Sequence, residues 1–494
     1  MPGALSPNAD LSPGPILEAV EDYRGTIIDT HARRTVGPAD FAKARKNLIR
    51  QLKLQGLTPG DRVLVAISNG PMFVATLTAI LACDASPLLV HNRTPPSELA
   101  RYAGGFCVRF YAGEPNADSD ITSVVSRVRR IDFSGLSTLV WGQFDLSDGV
   151  SHGPELRGVP LHPTSGSTGL PKIGLRPGFA AMEEARHYAE TMSIDHRDCI
   201  MGFPPMSHAY GYGVCVMLPL LTGASIVTWR QFSAKQLSLA LREQKITVLP
   251  AVPATVDILM LGPHEHYQKL RWLLAAGSIL TGRAATQFRS TTGVTVCPLY
   301  GTTETGGISV ATAADGHDFD GRVGPPMDGV EVDVWPGENA SDPHEGIGRL
   351  FVRSSSMMTG YLDDQGNVTT PFEDGWFETG DLARIADDDT IQLRGRSSEV
   401  INVSGLKVVP CEVEQAIMRL QGVREVKVYA GENGTGTQSV KAAVAAESFV
   451  TVEALDRHCE AHLVYYKRPG RQSFFLIDAL PRSAAGKIIN AELP

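Results

Sequence analysis

Chemistry is suggested first by the run TSGSTGLPK, from Thr164 to Lys172. Four hydroxyl side chains, Thr164, Ser165, Ser167 and Thr168, are interspersed with Gly166 and Gly169, and Pro171-Lys172 closes the run. Glycine lets a backbone take positive φ and come close to a ligand. Successive exposed N–H groups and short hydroxyls then make a concave anion site, to which one lysine adds a mobile positive charge. The combination suits a polyphosphate. It is not the GxxxxGK[ST] loop, because Leu170 and Pro171 separate Gly169 from Lys172. The competing reading is a Ser/Gly-rich surface linker.

The elements that must position this loop alternate between strand and helix. Pro38 to Leu54 has Phe41, Ala44, Leu48 and Leu52 at helical spacing and ends at Gly56. A turn at Pro59-Gly60 leads into a buried strand from Arg62 to Ser68, a helix from Met72 to Cys83 and a strand from Ser86 to Val90. Strand, helix and strand with short connections make a βαβ unit, hence a parallel sheet. The pattern recurs: strand Val159–His162 feeds the loop, helix Met182–Thr191 follows, and strands are expected at Ser225–Thr228, Thr247–Leu249 and Leu273–Ala275. Val294 to Pro298 leads into Tyr300-Gly301-Thr302-Thr303-Glu304, and Gly329 to Val352 changes to short strands with Pro and Gly turns. The first fifteen residues carry four prolines and are expected to be disordered or draped over the surface.

A joint is expected from Asp387 to Gly405, followed by a small α+β module. Residues 397–494 hold eleven basic and eleven acidic residues, so the whole net charge of −9 lies before them. The fold class is therefore α/β: a large N-terminal domain, 1–397, with parallel sheets and a β-rich subdomain, and a small mobile α+β domain, 398–494. A chain of 494 residues exceeds one core, which agrees with this division.

Bulk properties exclude several classes. The composition, 43% hydrophobic and 20% charged, is that of a globular protein, and the acidic balance draws it to neither nucleic acid nor an anionic membrane. Seven scattered cysteines without CxxC spacing argue against a disulfide framework or structural zinc and fit a reducing cytoplasm. The opening MPGALSPNADLSPGP has neither a basic n-region nor an apolar core, so no signal peptide is expected. The longest apolar run, Met72 to Cys83, is far short of the roughly 18–20 residues that span a bilayer.

With these pieces placed, the chain resembles the adenylate-forming superfamily of acyl- and aryl-CoA ligases, peptide-synthetase adenylation domains and luciferases. TSGSTGLPK resembles its phosphate loop, PPMSHAYG (Pro204 to Gly211) its proline-to-histidine segment and YGTTETG (Tyr300 to Gly306) its YGxTE motif. DGWFETGDLAR (Asp374 to Arg384), GRSSEVINVSG (Gly395 to Gly405) and LPRSAAGKI (Leu480 to Ile488) are similar to its GWxxTGD, hinge and C-terminal lysine motifs. The six lie in the family's order and cover about Gly56 to Ile488.

The resemblance implies a reaction in which a small-molecule carboxylate attacks the α-phosphate of ATP, giving an acyl adenylate and pyrophosphate. Both reactants are anionic, so the protein's task is alignment and charge neutralisation. By resemblance, Thr164, Ser165, Gly166, Ser167, Thr168, Gly169 and Lys172 hold the β- and γ-phosphates. Thr303 takes the α-phosphate and Glu304 coordinates Mg²⁺, a hard cation that prefers carboxylate oxygen. Tyr300 lies along the adenine, with Gly277 and Ser278 on its other face, and Gly301 and Thr302 are further ATP-binding residues. Asp381 accepts from the ribose hydroxyls, and Arg396 reaches ribose or phosphate. Lys487 bridges carboxylate and α-phosphate, and His208 lies beside the acid and gates the acceptor's path. For His208 a core histidine is the alternative; for Asp381 and Arg396, a surface salt bridge.

Two departures stand out. Two residues after Arg396 the family has Asp or Lys at its hinge, where this chain has Ser398, and Lys172-Ile173-Gly174 stands where Lys-Gly-aliphatic is usual. SGLKVVP resembles the CoA-ligase form, which implies thioester formation with CoA. Transfer to an amine, as in amide synthetases, or to a carrier-protein thiol on a separate chain are the alternatives. An inactive nucleotide-binding relative is a reading of another class. Neither the acid nor the oligomeric state is legible, although Gly211-Tyr212-Gly213 suggests room for a ring.

Overall fold

A computed structural model describes residues 11–115, 121–133, 136–145, 156–164, 171–229, 234–243, 245–260, 267, 269–277, 282–312, 321–336, 346–403, 406–432, 438–463, 465–482 and 488–494. By its internal contacts the chain divides into two compact units. The first is Met1–His317, Pro326–Glu331 and Arg353–Phe377; the second is Asp318–Pro325, Val332–Val352 and Glu378–Pro494.

The first unit is built on two mixed sheets, of nine and eight strands. In the nine-stranded sheet Phe110–Gly113, Arg62–Ala66, Ser86–Leu89 and Leu161–Pro163 run parallel, flanked on both sides by antiparallel strands. In the eight-stranded sheet six inner strands are parallel, among them Cys199–Gly202, Val248–Ala251, Trp272–Ala275 and Val296–Thr302. Its edges, Gly306–Val310 and Arg34–Val36, are antiparallel. The expected α/β class with parallel sheets is therefore observed, with antiparallel edges that the sequence reading omits. In the eight-stranded sheet both edges arise where the connection is a hairpin, since a short turn can join only antiparallel neighbours.

Residues 71–81, PMFVATLTAIL, show why the sheets stack. They form a helix buried on every side, touching Ser86–Leu89 of one sheet and Ile27–Asp29 of the other. A helix apolar all round belongs inside a domain, and this one sits between the layers. The amphipathic helix Pro38–Leu54 packs against it, burying Phe41, Leu48 and Leu52 as its spacing predicts. At the start of the chain a helix begins at Gly14 and fully buries Ile16, so residues 14 and 15 are not draped loop.

The second unit contains most of a sheet of Val330–Trp335, Gly348–Ser354, Trp376–Ile385 and Ile391–Arg396. It also holds a three-stranded sheet of Val423–Glu432, Gln438–Ala446 and Phe474–Ile477, covered by the helices Pro410–Met418 and Val452–His462. Val413, Ile417, Val428, Val444 and Leu455 form the core of this module, which is the expected α+β module. The sequence reading groups the β-rich segment with 1–397. The compact units group most of it with 378–494 instead, because Gly348–Ser354 and Trp376–Ile385 are hydrogen-bonded neighbours in one sheet. Among the described residues no helix is long and apolar enough to cross a membrane. All seven cysteines are free thiols.

Candidate active site

The phosphate-type loop is the connection of a β-hairpin. Leu161–Pro163 and Ile173–Leu175 pair antiparallel, and the backbone N–H and hydroxyl of Thr164 both donate to the Lys172 carbonyl, at 2.9 and 3.0 Å. The ends of the loop are thereby fixed and the exit strand starts directly at Ile173. Residues 165–170, which include Ser165, Gly166, Ser167, Thr168 and Gly169, lie outside the described residues.

Ile173–Leu175 also pairs with Gly360–Leu362, with Gly174 opposite Tyr361. Tyr361 thus stands beside the loop's lysine. Its ring face lies 5.1 Å from the exposed Lys172 ammonium, a cation–π contact, and its hydroxyl donates to Glu304 Oε1 at 2.6 Å. Burial and the Glu304 charge push the Tyr361 phenol well above its ordinary pKa, so it stays a protonated donor.

Tyr300, Gly301, Thr302, Thr303 and Glu304 follow as the end of the strand Val296–Thr302 and a tight turn into Gly306–Val310. The Thr302 hydroxyl accepts from the backbone N–H groups of Glu304 and Thr305, which shapes the turn. Gly306 has φ +74°, and a Cβ there would meet the Glu184 carboxylate at 2.7 Å, so the position demands glycine. The turn is held from below by Arg176, which the sequence reading misses. Arg176 donates to the carbonyls of Thr303 (3.2 Å) and Ser356 (3.1 Å) and to Glu184 Oε2 (2.9 Å). The Arg176 and Glu184 side chains are 0% and 2% exposed. Glu184 Oε1 accepts in addition from the Tyr188 hydroxyl and the Gly307 N–H. Ser356 Oγ donates to the Thr305 carbonyl, and the Met358 N–H donates to that of Glu304.

His208 is an exposed residue preceding the short helix Ala209–Tyr212. The core-histidine alternative does not apply to it. The segment before it is clamped by Asn69, whose amide nitrogen donates to the carbonyls of Gly202 and Pro204 while its oxygen accepts from the Met206 N–H. Gly211 allows the fold-back, since a Cβ there would strike the Pro205 carbonyl oxygen at 2.1 Å. A π-helical stretch, Gly213–Met217, continues the helix, a distortion often found at functional sites. The fully buried histidine is His162, stacked edge-on against Tyr212 at 4.6 Å. Burial, then Arg176 and His208, hold its imidazole well below the ordinary pKa.

Gly277 is exposed just beyond the strand Trp272–Ala275, with φ +90°. Ser278 lies outside the described residues, as does Lys487. The residues flanking the latter's segment, Arg482 and Ile488, are bridged as antiparallel partners.

In the second unit Asp381 and Arg396 face each other across antiparallel strands. Arg396 Nε lies 2.8 Å from Asp381 Oδ1, and a second nitrogen donates to the Thr379 carbonyl. The salt bridge weighed for each is thus formed between the two of them. Ser398 is exposed within the turn Ser397–Glu399, and the Lys427 ammonium binds Glu399 (2.8 Å) and Glu414 (3.4 Å).

This geometry fits magnesium-bound ATP. Glu304 has one oxygen held by Tyr361 and, among the described residues, no partner on the other, which leaves a hard donor for Mg²⁺. Lys172 supplies a cation beside it for phosphate oxygens. A family model described as AMP-binding enzyme matches residues 18–362, and one described as AMP-binding enzyme C-terminal domain matches 412–487.

The chain belongs to the AMP-binding enzymes.

These are the adenylate-forming superfamily that the motifs resemble, so this AMP-binding enzyme is an AMP-forming ligase. It is 27% identical over 451 residues to a 2-succinylbenzoate–CoA ligase of Geobacillus sp. (strain WCH70), covering 90% of this chain and 89% of the relative. Its fold is similar to that of ATP-bound MatB from Rhodopseudomonas palustris, with TM-score 0.81, 20% identity and 97% of each chain covered. It is equally similar to that of the amide bond synthetase McbA from Marinactinospora thermotolerans, with TM-score 0.81, 20% identity and coverage of 97% and 98%.

Two outcomes are expected. Glu184→Ala leaves the Arg176 guanidinium buried without its counter-charge and destabilises the protein by about 3–5 kcal/mol in denaturant unfolding; a loss below about 1 kcal/mol contradicts the clamp. His162, neutral in the fold, takes up a proton on unfolding at pH values below its ordinary 6.5. Its contribution to stability is therefore full above that value and lost as the pH falls. Urea midpoints measured from about pH 7 to pH 5 should drop for the wild type and drop less for His162→Gln; equal slopes would exclude a neutral buried imidazole.

Proposed function

We propose that this AMP-binding enzyme activates a small carboxylic acid and passes the acyl group to CoA. The observation that supports this best is the convergence of the loop ends Thr164 and Lys172 with the Thr303–Glu304 turn, through Tyr361 and Arg176. The loop from Thr164 to Lys172 would cradle the β- and γ-phosphates, with Thr303 at the α-phosphate and Glu304 on magnesium, which supplies charge neutralisation when bound. Tyr300, Gly277 and Ser278 would frame the adenine, with Gly301 and Thr302 also at the nucleotide.

The acid's oxygen attacks the α-phosphorus, the bond from that phosphorus to the bridging oxygen breaks, and pyrophosphate leaves. Lys487, a flexible point charge, would lie between carboxylate and α-phosphate during this step. Asp381 would accept from the ribose hydroxyls, and Arg396 would turn part of its fork from Asp381 toward ribose or phosphate. In the second step the thiol sulfur attacks the acyl carbon, AMP departs, and His208 stands beside the acceptor's route. The boundary at 397/398 is the proposed pivot between steps, with the exposed Ser398 absorbing the backbone change.

CoA is favoured by SGLKVVP and by the relative named a CoA ligase. An amine acceptor is the second reading, supported by the likeness to an amide bond synthetase. The aromatic acid in that CoA ligase's name supports an aromatic substrate, but Gly211-Tyr212-Gly213 does not leave the expected room for a ring: Cβ atoms at the two glycines would meet Pro205 and Glu184, and Tyr212 is fully buried. A reducing cytoplasm is the proposed setting, given seven free thiols.

Lys487→Ala should retain ATP binding while carboxylate-dependent ATP–pyrophosphate exchange falls by about 10²–10³-fold; exchange within a few-fold of wild type would remove Lys487 from the reaction. Mass spectrometry of a turnover mixture of ATP, an accepted acid, CoA and an amine should show the thioester. Amide without thioester would replace CoA by the amine.

A further inference from the structure

We propose that Tyr361 is a positioning residue that presets both the Glu304 carboxylate and the Lys172 ammonium for the magnesium-bound triphosphate, an inference that rests on the reading of this site as one for MgATP. Tyr361 is the one described side chain in contact with both groups: its hydroxyl bonds Glu304 Oε1 at 2.6 Å and its ring underlies Lys172 Nζ at 5.1 Å. Its own place is over-determined by backbone. Gly360–Leu362 is paired on one side with Ile173–Leu175 and on the other with Val368–Thr369, which fixes the backbone that carries the ring, and the hydroxyl's bond to Glu304 orients the ring upon it.

A carboxylate with one oxygen engaged by a phenol offers a cation a single donor. That favours Mg²⁺, which keeps several waters and takes one or two carboxylate oxygens, over Ca²⁺, which accepts bidentate carboxylates in looser shells. The ring face gives Lys172 a resting place that neither neutralises it nor anchors it strongly, since a cation–π contact at an exposed site is weak. Arriving phosphate oxygens compete easily for that ammonium. A carboxylate in place of the ring would hold the lysine more tightly and oppose the incoming charge. Tyr361 is therefore a divalent-ion filter and a lysine rest in one side chain, and it acts through Glu304 and Lys172 rather than on the substrate.

The test is equilibrium binding of a fluorescent ATP analogue while Mg²⁺ or Ca²⁺ is titrated, with thermal unfolding recorded alongside. In Tyr361→Phe the Mg²⁺ midpoint should rise about tenfold, the size of a lost hydrogen bond to a charged group, and the Ca²⁺ midpoint should move less. In a Glu304→Gln background the same change should have little further effect. Incorporation of 3,5-difluorotyrosine at 361 preserves the packing while altering the donor; it should shift the Mg²⁺ midpoint with no change in Tm, and it serves if the Phe variant fails to fold. Wild-type ATP binding with an Mg²⁺ midpoint unmoved by both substitutions overturns the proposal alone. So does an equal loss for Mg²⁺, Ca²⁺ and metal-free nucleotide, which marks a structural role. A wild type that binds ATP without any dependence on divalent cation overturns the MgATP reading of the site and this inference with it.

Discussion

A guanidinium sealed from water must be paired, and in this protein the pairing of Arg176 with Glu184 determines the shape of the site. The charges neutralise each other, and their remaining hydrogen-bonding capacity is directed outward at backbone. Arg176 holds the carbonyls of Thr303 and Ser356, and Glu184 holds the Gly307 N–H. Two stretches distant in sequence, the turn 303–307 and Ser356, are thus tied to one buried point just after the loop's exit strand. Aligning two anions takes precision, and that has to come from a support that does not move.

The electrostatics follow from that support. A chain with net charge −9 must bring together a carboxylate and a triphosphate, so its positive groups have to be local and movable. Lys172 is exposed and rests on an aromatic face, whereas the charges that shape the scaffold are buried and matched. Acidic groups are restrained in turn: Glu304 by the Tyr361 hydroxyl, Asp381 by Arg396. His162, neutral in the strand Leu161–Pro163, adds no positive charge of its own at neutral pH.

What could be read in the sequence was whatever obeys a short-range rule. The helix Pro38–Leu54 and the strands Ser225–Thr228 and Phe474–Ile477 appear at the expected residues, because apolar spacing and Gly or Pro punctuation act locally. The family was legible because six motifs stand in order. Arg176 and Glu184 were not, since only the tertiary fold brings IGLRPG against a helix and a distant turn; the one signal was a lone arginine inside an apolar run. Tyr361 was hidden for a similar reason, its contacts spanning 57 residues to Glu304. The antiparallel sheet edges and the grouping of Val332–Val352 depend on pairings between remote strands, which local patterns do not specify.

The central claim is that an oxygen of the acid becomes bonded to the α-phosphorus of ATP. It is tested most directly by turnover of a carboxylic acid labelled with ¹⁸O in both oxygens, followed by mass spectrometry of the nucleotide and phosphate products. The account predicts AMP carrying one labelled oxygen and pyrophosphate carrying none. Label in inorganic phosphate, or AMP without label, would contradict it.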